Sequence, residues 1–133
     1  LFMRLKIWDG TTNLILHNPL IGTGIGTFVW ALPGYRPEGL NVRARFAHND
    51  YLHMPAEMGF LALPLMILIL LRVIGTGLGY YKKEGRIDEL KLGCAIGILS
   101  LSLHGFIDFN FHIPANMILV CIYAGIVMGA KEC

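Results

Sequence analysis

The pattern of hydrophobic and polar positions changes character partway along the chain. Residues 1–57 mix charged side chains with prolines, glycines and aromatics, whereas most of residues 58–133 are apolar. Three apolar runs lie in this second part, at about 58–79, 92–106 and 115–130. About 20 helical residues cross a hydrocarbon layer ~30 Å thick. The pattern therefore predicts an all-α, polytopic membrane protein with about three transmembrane helices, preceded by a loop region with short amphipathic helices.

The loop between the first two apolar runs predicts the orientation in the membrane. Residues 80–91 form a short segment that contains Lys82, Lys83, Arg86 and Lys91. Basic residues in short loops mark the cytoplasmic side of a membrane. We therefore expect 80–91 to be a cytoplasmic loop and residues 1–57 to lie on the opposite, periplasmic side.

Composition supports a membrane protein and argues against a nucleic-acid partner. Of the 133 residues, 55% are hydrophobic and 15% are charged, and the mean hydropathy is +0.59, too apolar for an ordinary soluble domain. The net charge of +2 comes without a basic run interleaved with aromatics, the pattern of nucleic-acid binding. The chain begins without Met and stops just after an apolar run, which we interpret as a fragment of a longer protein.

A histidine-bearing polar segment, AHNDYL at 47–52, precedes the first apolar run. A helix that begins near Asp50 would put His53 and Glu57 on one face and leave His48 just before its first turn. The spacing fits neither the H-E-x-x-H motif nor a closed set of four zinc ligands, so we predict no metal. His48 is then either a hydrogen-bonded interfacial histidine or a catalytic one.

Two further groups of residues are candidates for substrate contact. His104, Asp108 and His112 repeat at four-residue spacing, and they either form hydrogen bonds within the helix bundle or contact substrate. Arg4, in the amino-terminal segment, and the pair Arg43 and Arg45 supply guanidinium groups. Such groups either grip a phosphate with two parallel hydrogen bonds or anchor the chain to lipid head groups.

The glycine-rich run at 22–28, GTGIGTF, invites comparison with nucleotide-binding loops. Position 27 is Thr where the dinucleotide fingerprint requires Gly, and no buried strand and acidic ribose partner frame the run. We therefore predict a closely packed turn rather than a cofactor site.

Four sequence elements in order resemble the O-antigen ligase and polymerase superfamily, polytopic bacterial enzymes that move glycans from undecaprenyl pyrophosphate. Residues 4–8 resemble its R-x-x-x-W element, and 17–28 resemble its "nPl-G-G-G-F" turn. Residues 47–52, followed by the Glu-Met-Gly at 57–59, are similar to its "AHN-x-YL…E-x-G" signature. Residues 104–116 are similar to its late-helix pattern.

The resemblance implies a metal-independent, inverting glycosyltransferase with a type C-like membrane fold and no cofactor. It would be a multi-pass protein of the bacterial inner membrane with a periplasmic active face, using an undecaprenyl-pyrophosphate-linked glycan donor in contact with membrane lipid. The acceptor would be a saccharide or the lipid A core for a ligase, or another repeat unit for a polymerase. A different class, a transporter or a purely structural membrane segment, would use the histidines without glycosyl transfer.

The resemblance also implies roles for the candidate residues. His48 would be the general base, since an imidazole with an ordinary pKa of ~6.5 can accept the proton of a sugar hydroxyl. Arg4, helped by Arg43 or Arg45, would stabilise the leaving pyrophosphate, and Asp50 would orient His48. The remaining expected substrate contacts are His53, His104, Asp108 and His112.

Overall fold

The computed structural model describes residues 2–84 and 88–129, with side chains omitted for 80–84. The described chain is all-helical and contains no strand. Its α-helices are α1 (Phe2–His17), α2 (Phe28–Ala31), α3 (Asp50–Met58), α4 (Ala62–Glu84), α5 (Glu89–His104) and α6 (Pro114–Met128). Two short 3-10 helices span Leu32–Gly34 and Asn110–His112. The all-α class predicted from the sequence is confirmed.

The chain forms two compact units. The first contains residues 1–65 together with the short segment 105–109, and the second contains residues 66–104 and 110–133. The segment 105–109 follows α5 directly and returns the chain to the first unit. Residues far apart in sequence therefore meet in the first unit.

The core of the first unit forms around α1. Ile7 and Leu14 are buried on one face of this helix and pack with Phe28 and Leu32, while Phe2 at its start is exposed. The sequence predicted short amphipathic helices in this region. The buried face of α1 forms part of the hydrophobic core.

Helix α3 begins where the sequence predicted. Asn49 has extended backbone angles, and its side-chain oxygen accepts hydrogen bonds from the backbone N–H groups of Tyr51 (2.9 Å) and Leu52 (3.1 Å). This is N-capping, which satisfies donors that have no partner inside the helix. Asp50 in the first turn adds a negative charge at the positive end of the helix dipole. The predicted helix start near Asp50 is confirmed.

The second unit packs parts of α4, α5 and α6 around a small apolar core. Buried side chains such as Val73, Ile98 and Val127 form this core. Gly77 allows a close approach, since a Cβ atom there would lie 2.5 Å from the Cβ of Ala95. Small residues at helix contacts let backbones approach closely, as in membrane helix pairs.

One helix in the described residues is long and apolar enough to cross a membrane. The qualifying window is Ala62–Gly79 in α4, where 17% of the residues are buried. Helices α5 and α6 have 16 and 15 residues, fewer than the ~20 that a span needs. Of the three predicted spans, the first meets the requirement of length and composition over 62–79, beginning four residues later than predicted because Met58 ends α3, while 92–106 and 115–130 are not confirmed.

The predicted cytoplasmic loop 80–91 is shorter than expected. Helix α4 continues to Glu84 and α5 begins at Glu89. Residues 85–87 and the basic side chains at positions 82, 83 and 86 lie outside what the structure describes. The predicted orientation therefore stays a prediction.

Candidate active site

His48 has an unusual backbone conformation. Its φ angle is +52°, the only positive value at a non-glycine residue in the described chain. This left-handed region is uncommon for residues with a side chain and costs of order 1–3 kcal/mol. Such a conformation persists when the surrounding contacts hold it, and the neighbouring residues provide these contacts.

The peptide before His48 is held on both sides. The indole Nε1–H of Trp8 donates to the carbonyl oxygen of Ala47 at 2.9 Å. The backbone N–H of Ala47 donates to Nδ1 of His53 at 3.2 Å. Ala47 itself is completely buried, and Asn49 on the other side caps α3. These contacts fix the direction in which the His48 side chain leaves the backbone.

The His48 side chain is partly exposed, and one nitrogen of its ring lies beside a carboxylate. Nδ1 lies 3.5 Å from Oδ1 of Asp108 and is itself buried. The ring meets Phe109 edge-on, with centroids 5.0 Å apart. About a third of the side chain is exposed to solvent, whereas Nδ1 is buried and forms no hydrogen bond with the described residues. Asp108 is therefore an ion-pair neighbour of Nδ1 and not its hydrogen-bond acceptor.

Arg4 reaches the residue next to Asp108. Its Nη1 donates to the carbonyl oxygen of Ile107 at 2.8 Å, and the side chain is exposed. Adjacent Cα atoms are ~3.8 Å apart, so Arg4 and His48 contact neighbouring positions of the same segment. An arginine has five N–H groups, and one of them is used by this bond. The guanidinium therefore keeps donors for an anionic group in the vicinity of His48.

The start of α3 holds the segment 105–109 in place. The backbone N–H of Asp50 donates to the carbonyl oxygen of Gly105 at 2.8 Å. The rings of Tyr51 and Phe106 stack with centroids 4.1 Å apart. Burial, and secondarily the negative charge of Asp50, raises the pKa of Tyr51 above its ordinary value of 10.0. Tyr51 is therefore a neutral phenol near pH 7 and contributes packing here.

The glycine-rich run binds a carboxylate of the chain itself. Glu57 is buried and accepts hydrogen bonds from the backbone N–H groups of Gly26 (2.9 Å) and Phe28 (3.0 Å). Nε2 of His53 lies 3.4 Å from the same carboxylate. The predicted closely packed turn is confirmed, since a Cβ at Gly22 would collide with the Glu57 backbone. The amides that a nucleotide phosphate would need are used by Glu57.

The other predicted contact residues have different surroundings. His53 is buried and Asp50 is fully buried, each within the packing of α3. The guanidinium of Arg43 lies over the ring of Trp30, 4.1 Å from its centroid, and Arg45 is exposed. Asp108, by contrast, lies beside Nδ1 of His48.

The two remaining histidines belong to the second unit. His104 ends α5, and its Nδ1 accepts a hydrogen bond from Nδ2 of Asn110 at 2.7 Å. His112 is half-buried in the short 3-10 helix Asn110–His112. Helix α5 ends at His104, so the four-residue spacing of His104, Asp108 and His112 does not correspond to one helical face.

Sequence reasoning missed the partners that position His48. It considered Asp50 for orienting the ring, whereas Asp108 lies beside Nδ1. It also used Trp8 only as part of a motif, although the four-residue spacing from Arg4 puts both side chains on one face of α1. That spacing is the one sequence signal that could have placed Trp8 near the site. No local pattern links Asp108 to His48, which is distant in sequence.

This arrangement can accept a proton and bind an anion at neighbouring positions. A carboxylate beside one imidazole nitrogen orients the ring and stabilises its protonated form, leaving the other nitrogen to act as a base. A guanidinium forms strong charge-assisted hydrogen bonds with phosphate groups.

Comparison with known proteins gives one match. A family model described as O-antigen ligase matches residues 2–67. The match includes Arg4, Trp8, the glycine-rich run, His48 and Glu57, whereas the late-helix pattern at 104–116 lies beyond it. No curated protein and no solved structure matches the chain.

Proposed function

Since residues 2–67 belong to the O-antigen ligase family, we propose that the chain transfers a glycan from an undecaprenyl-pyrophosphate-linked donor to an acceptor sugar or the lipid A core. The observation that supports this most is the placement of His48, with Nδ1 beside Asp108 and about a third of the side chain exposed. The family is membrane-associated, and we place the reaction at the periplasmic face of the inner membrane. Helix α4 crosses this membrane as part of a multi-pass, type C-like fold.

His48 acts as the general base of an inverting displacement. Nε2 accepts the proton of an acceptor hydroxyl while that oxygen forms a bond to the anomeric carbon of the donor. Nδ1 carries a proton toward Asp108, whose charge stabilises the imidazolium that results. A positioned general base contributes typically 10²- to 10⁴-fold to the rate.

Arg4 stabilises the leaving group. The bond between the anomeric carbon and the pyrophosphate oxygen breaks, and the electron pair remains on the lipid pyrophosphate. The exposed guanidinium of Arg4, held at Ile107 by one of its N–H groups, donates others to the departing phosphate. Fixed positive charge aimed at developing negative charge lowers the barrier without reorganisation of solvent.

The test uses the full-length protein with His48→Ala, with transfer measured from a lipid-linked donor to an acceptor. We expect a loss of at least ~10²-fold in kcat. His17→Ala is the matched control, since this exposed histidine ends α1 and its Nδ1 contacts the carbonyl of Asn13. Normal transfer by His48→Ala at wild-type protein abundance would contradict the proposal.

A second pair of variants tests the phosphate contact. Arg4→Gln should reduce transfer strongly, whereas Lys6→Gln should not, although both residues lie on α1 and each donates to one backbone carbonyl. Arg4→Lys should recover only part of the activity, because an ammonium group lacks the planar fork of donors. Equal losses of transfer activity in Arg4→Gln and Lys6→Gln would contradict a specific phosphate contact by Arg4.

A further inference from the structure

The first unit exposes an unusual set of apolar side chains at one edge. Two short segments supply them, the loop before α2 and the residues just before α4. Their exposed fractions are 78% for Leu20, 82% for Ile21, 79% for Ile25, 59% for Phe60 and 71% for Leu61. We call these five residues the apolar rim. Exposed apolar groups that cluster in this way mark a surface that contacts another apolar phase.

Backbone hydrogen bonds hold the two segments of the rim together. The N–H of Phe60 donates to the carbonyl oxygen of Pro19 at 2.7 Å. The N–H of Gly24 donates to the carbonyl oxygen of Glu57 at 2.9 Å. The loop therefore lies alongside the residues that lead into α4, which begins at Ala62. The rim is continuous along the chain with the one helix that is long and apolar enough to cross a membrane.

The polar groups of the loop are turned inward. Irregular backbone is tolerated near hydrocarbon only where its N–H and C=O groups have partners within the protein. Here the backbone N–H groups of five loop residues have such partners. The bonds run from Gly22 to Asn18, from Thr23 to Ala56, from Gly24 to the Glu57 carbonyl, and from Gly26 and Phe28 to the Glu57 carboxylate. The glycine-rich run thus satisfies its own amides while its branched apolar side chains point out.

Charge is absent from the same stretches of sequence. Residues 18–35 and 58–71 contain no Asp, Glu, Lys or Arg. The first stretch also holds Trp30, which is 71% exposed and carries the guanidinium of Arg43 over its ring. Exposed tryptophans are enriched where protein crosses from hydrocarbon to water, and arginine is favourable beside lipid phosphates.

We propose that the apolar rim inserts into the lipid bilayer, at the boundary between head groups and acyl chains where α4 enters. The buried Glu57 carboxylate is the internal anchor that shapes the loop for this contact. A bilayer is favoured over a protein partner because the rim runs directly into an apolar helix whose Leu65 is 58% exposed. The insertion does not depend on the reaction proposed for His48.

Spin-label accessibility in the full-length protein tests the insertion. The native cysteines are replaced by alanine, and the protein is reconstituted into vesicles of phosphatidylethanolamine and phosphatidylglycerol. A nitroxide is attached at Ile21→Cys or Ile25→Cys, with Leu65→Cys as the bilayer reference. Glu38→Cys, at an exposed position outside both uncharged stretches, is the water reference. Collision rates are measured with oxygen, which concentrates in lipid, and with a water-soluble nickel chelate.

The labels at Ile21 and Ile25 should give an oxygen-to-nickel ratio several-fold above that at Glu38 and close to that at Leu65. A ratio equal to that at Glu38 would place the rim in water and overturn the proposal. Low accessibility to both reagents would also overturn it, because the rim would then be covered by another protein segment or a second copy of the chain.

Discussion

Replacing Glu57 by glutamine is expected to release the glycine-rich run from α3. The carboxylate is buried and accepts the N–H groups of Gly26 and Phe28, with His53 beside it. Glutamine has nearly the same size, but its side-chain amide has only one acceptor oxygen. One of the two backbone N–H groups therefore faces the amide NH2 group, which is itself a donor. An unsatisfied buried donor costs about 1–3 kcal/mol, and exchanging a charged acceptor for a neutral one costs about 1 kcal/mol more. The sum is about 2–4 kcal/mol against the closed loop.

Hydrogen exchange of the full-length protein measures this loss directly. A destabilisation of about 2–4 kcal/mol corresponds to exchange that is roughly 30- to 1000-fold faster in peptides covering residues 22–28. Glu38→Gln is the matched control, since its side chain is exposed and surface substitutions usually change stability by less than about 0.5 kcal/mol. The exchange of α5 should be the same in both variants, because this helix belongs to the second unit.

An unchanged exchange rate at 22–28 in Glu57→Gln would refute the reasoning. It would mean that the two backbone bonds to the carboxylate contribute little to the closed loop. Equal acceleration in 22–28 and in α5 would also contradict it, since the effect would then be general unfolding and not release of one loop.

Three further substitutions follow from the site and its supports. Trp8→Phe removes the indole donor that holds the peptide before His48, and kcat should fall roughly 2- to 13-fold at constant KM, the equivalent of one hydrogen bond of about 0.5–1.5 kcal/mol. Asp108→Asn should lower kcat roughly 1.5- to 5-fold, since a partly exposed ion pair such as this one contributes about 0.2–1 kcal/mol, whereas Asp9→Asn, at an exposed position of α1, should retain activity. Gly59→Ala should abolish accumulation of folded protein, because the added methyl group would collide with the backbone of another segment. Gly26 has a similar positive φ but open space around it, so Gly26→Ala should lower the unfolding temperature less in a thermal unfolding assay.

Local signals in the sequence predicted the parts of the site that depend on neighbouring residues. The polar segment at 47–52 correctly indicated a helix beginning at Asp50, because capping by Asn49 involves residues only two or three positions away. The failed dinucleotide fingerprint at 22–28 correctly indicated a packed turn. In both cases the signal lies in residues that are close in sequence, so the local sequence pattern predicts the feature.

Contacts between distant segments were not predictable in the same way. His104, Asp108 and His112 repeat at four-residue spacing, but α5 ends at His104 and the segment that follows joins the first unit. Asp108 consequently meets His48, sixty positions earlier in the sequence. Periodicity cannot reveal such a pairing, since nothing in a helical repeat encodes the residue at which the chain leaves the helix for another unit.

The contact between His48 and Asp108 gives the five residues at 105–109 a role in positioning the candidate site. Their residue types alone do not indicate this role. Arg4 binds the Ile107 carbonyl and His48 faces the neighbouring Asp108, while the first turn of α3 binds Gly105. Three elements of the first unit thus converge on one short segment, and the positions of base and guanidinium are coupled through it. A substitution that displaced this segment should impair proton transfer and phosphate binding together, whereas changes at Arg4 or His48 alone should separate them. This coupling runs through the segment 105–109, so it does not require the side chains of Arg4 and His48 to touch each other.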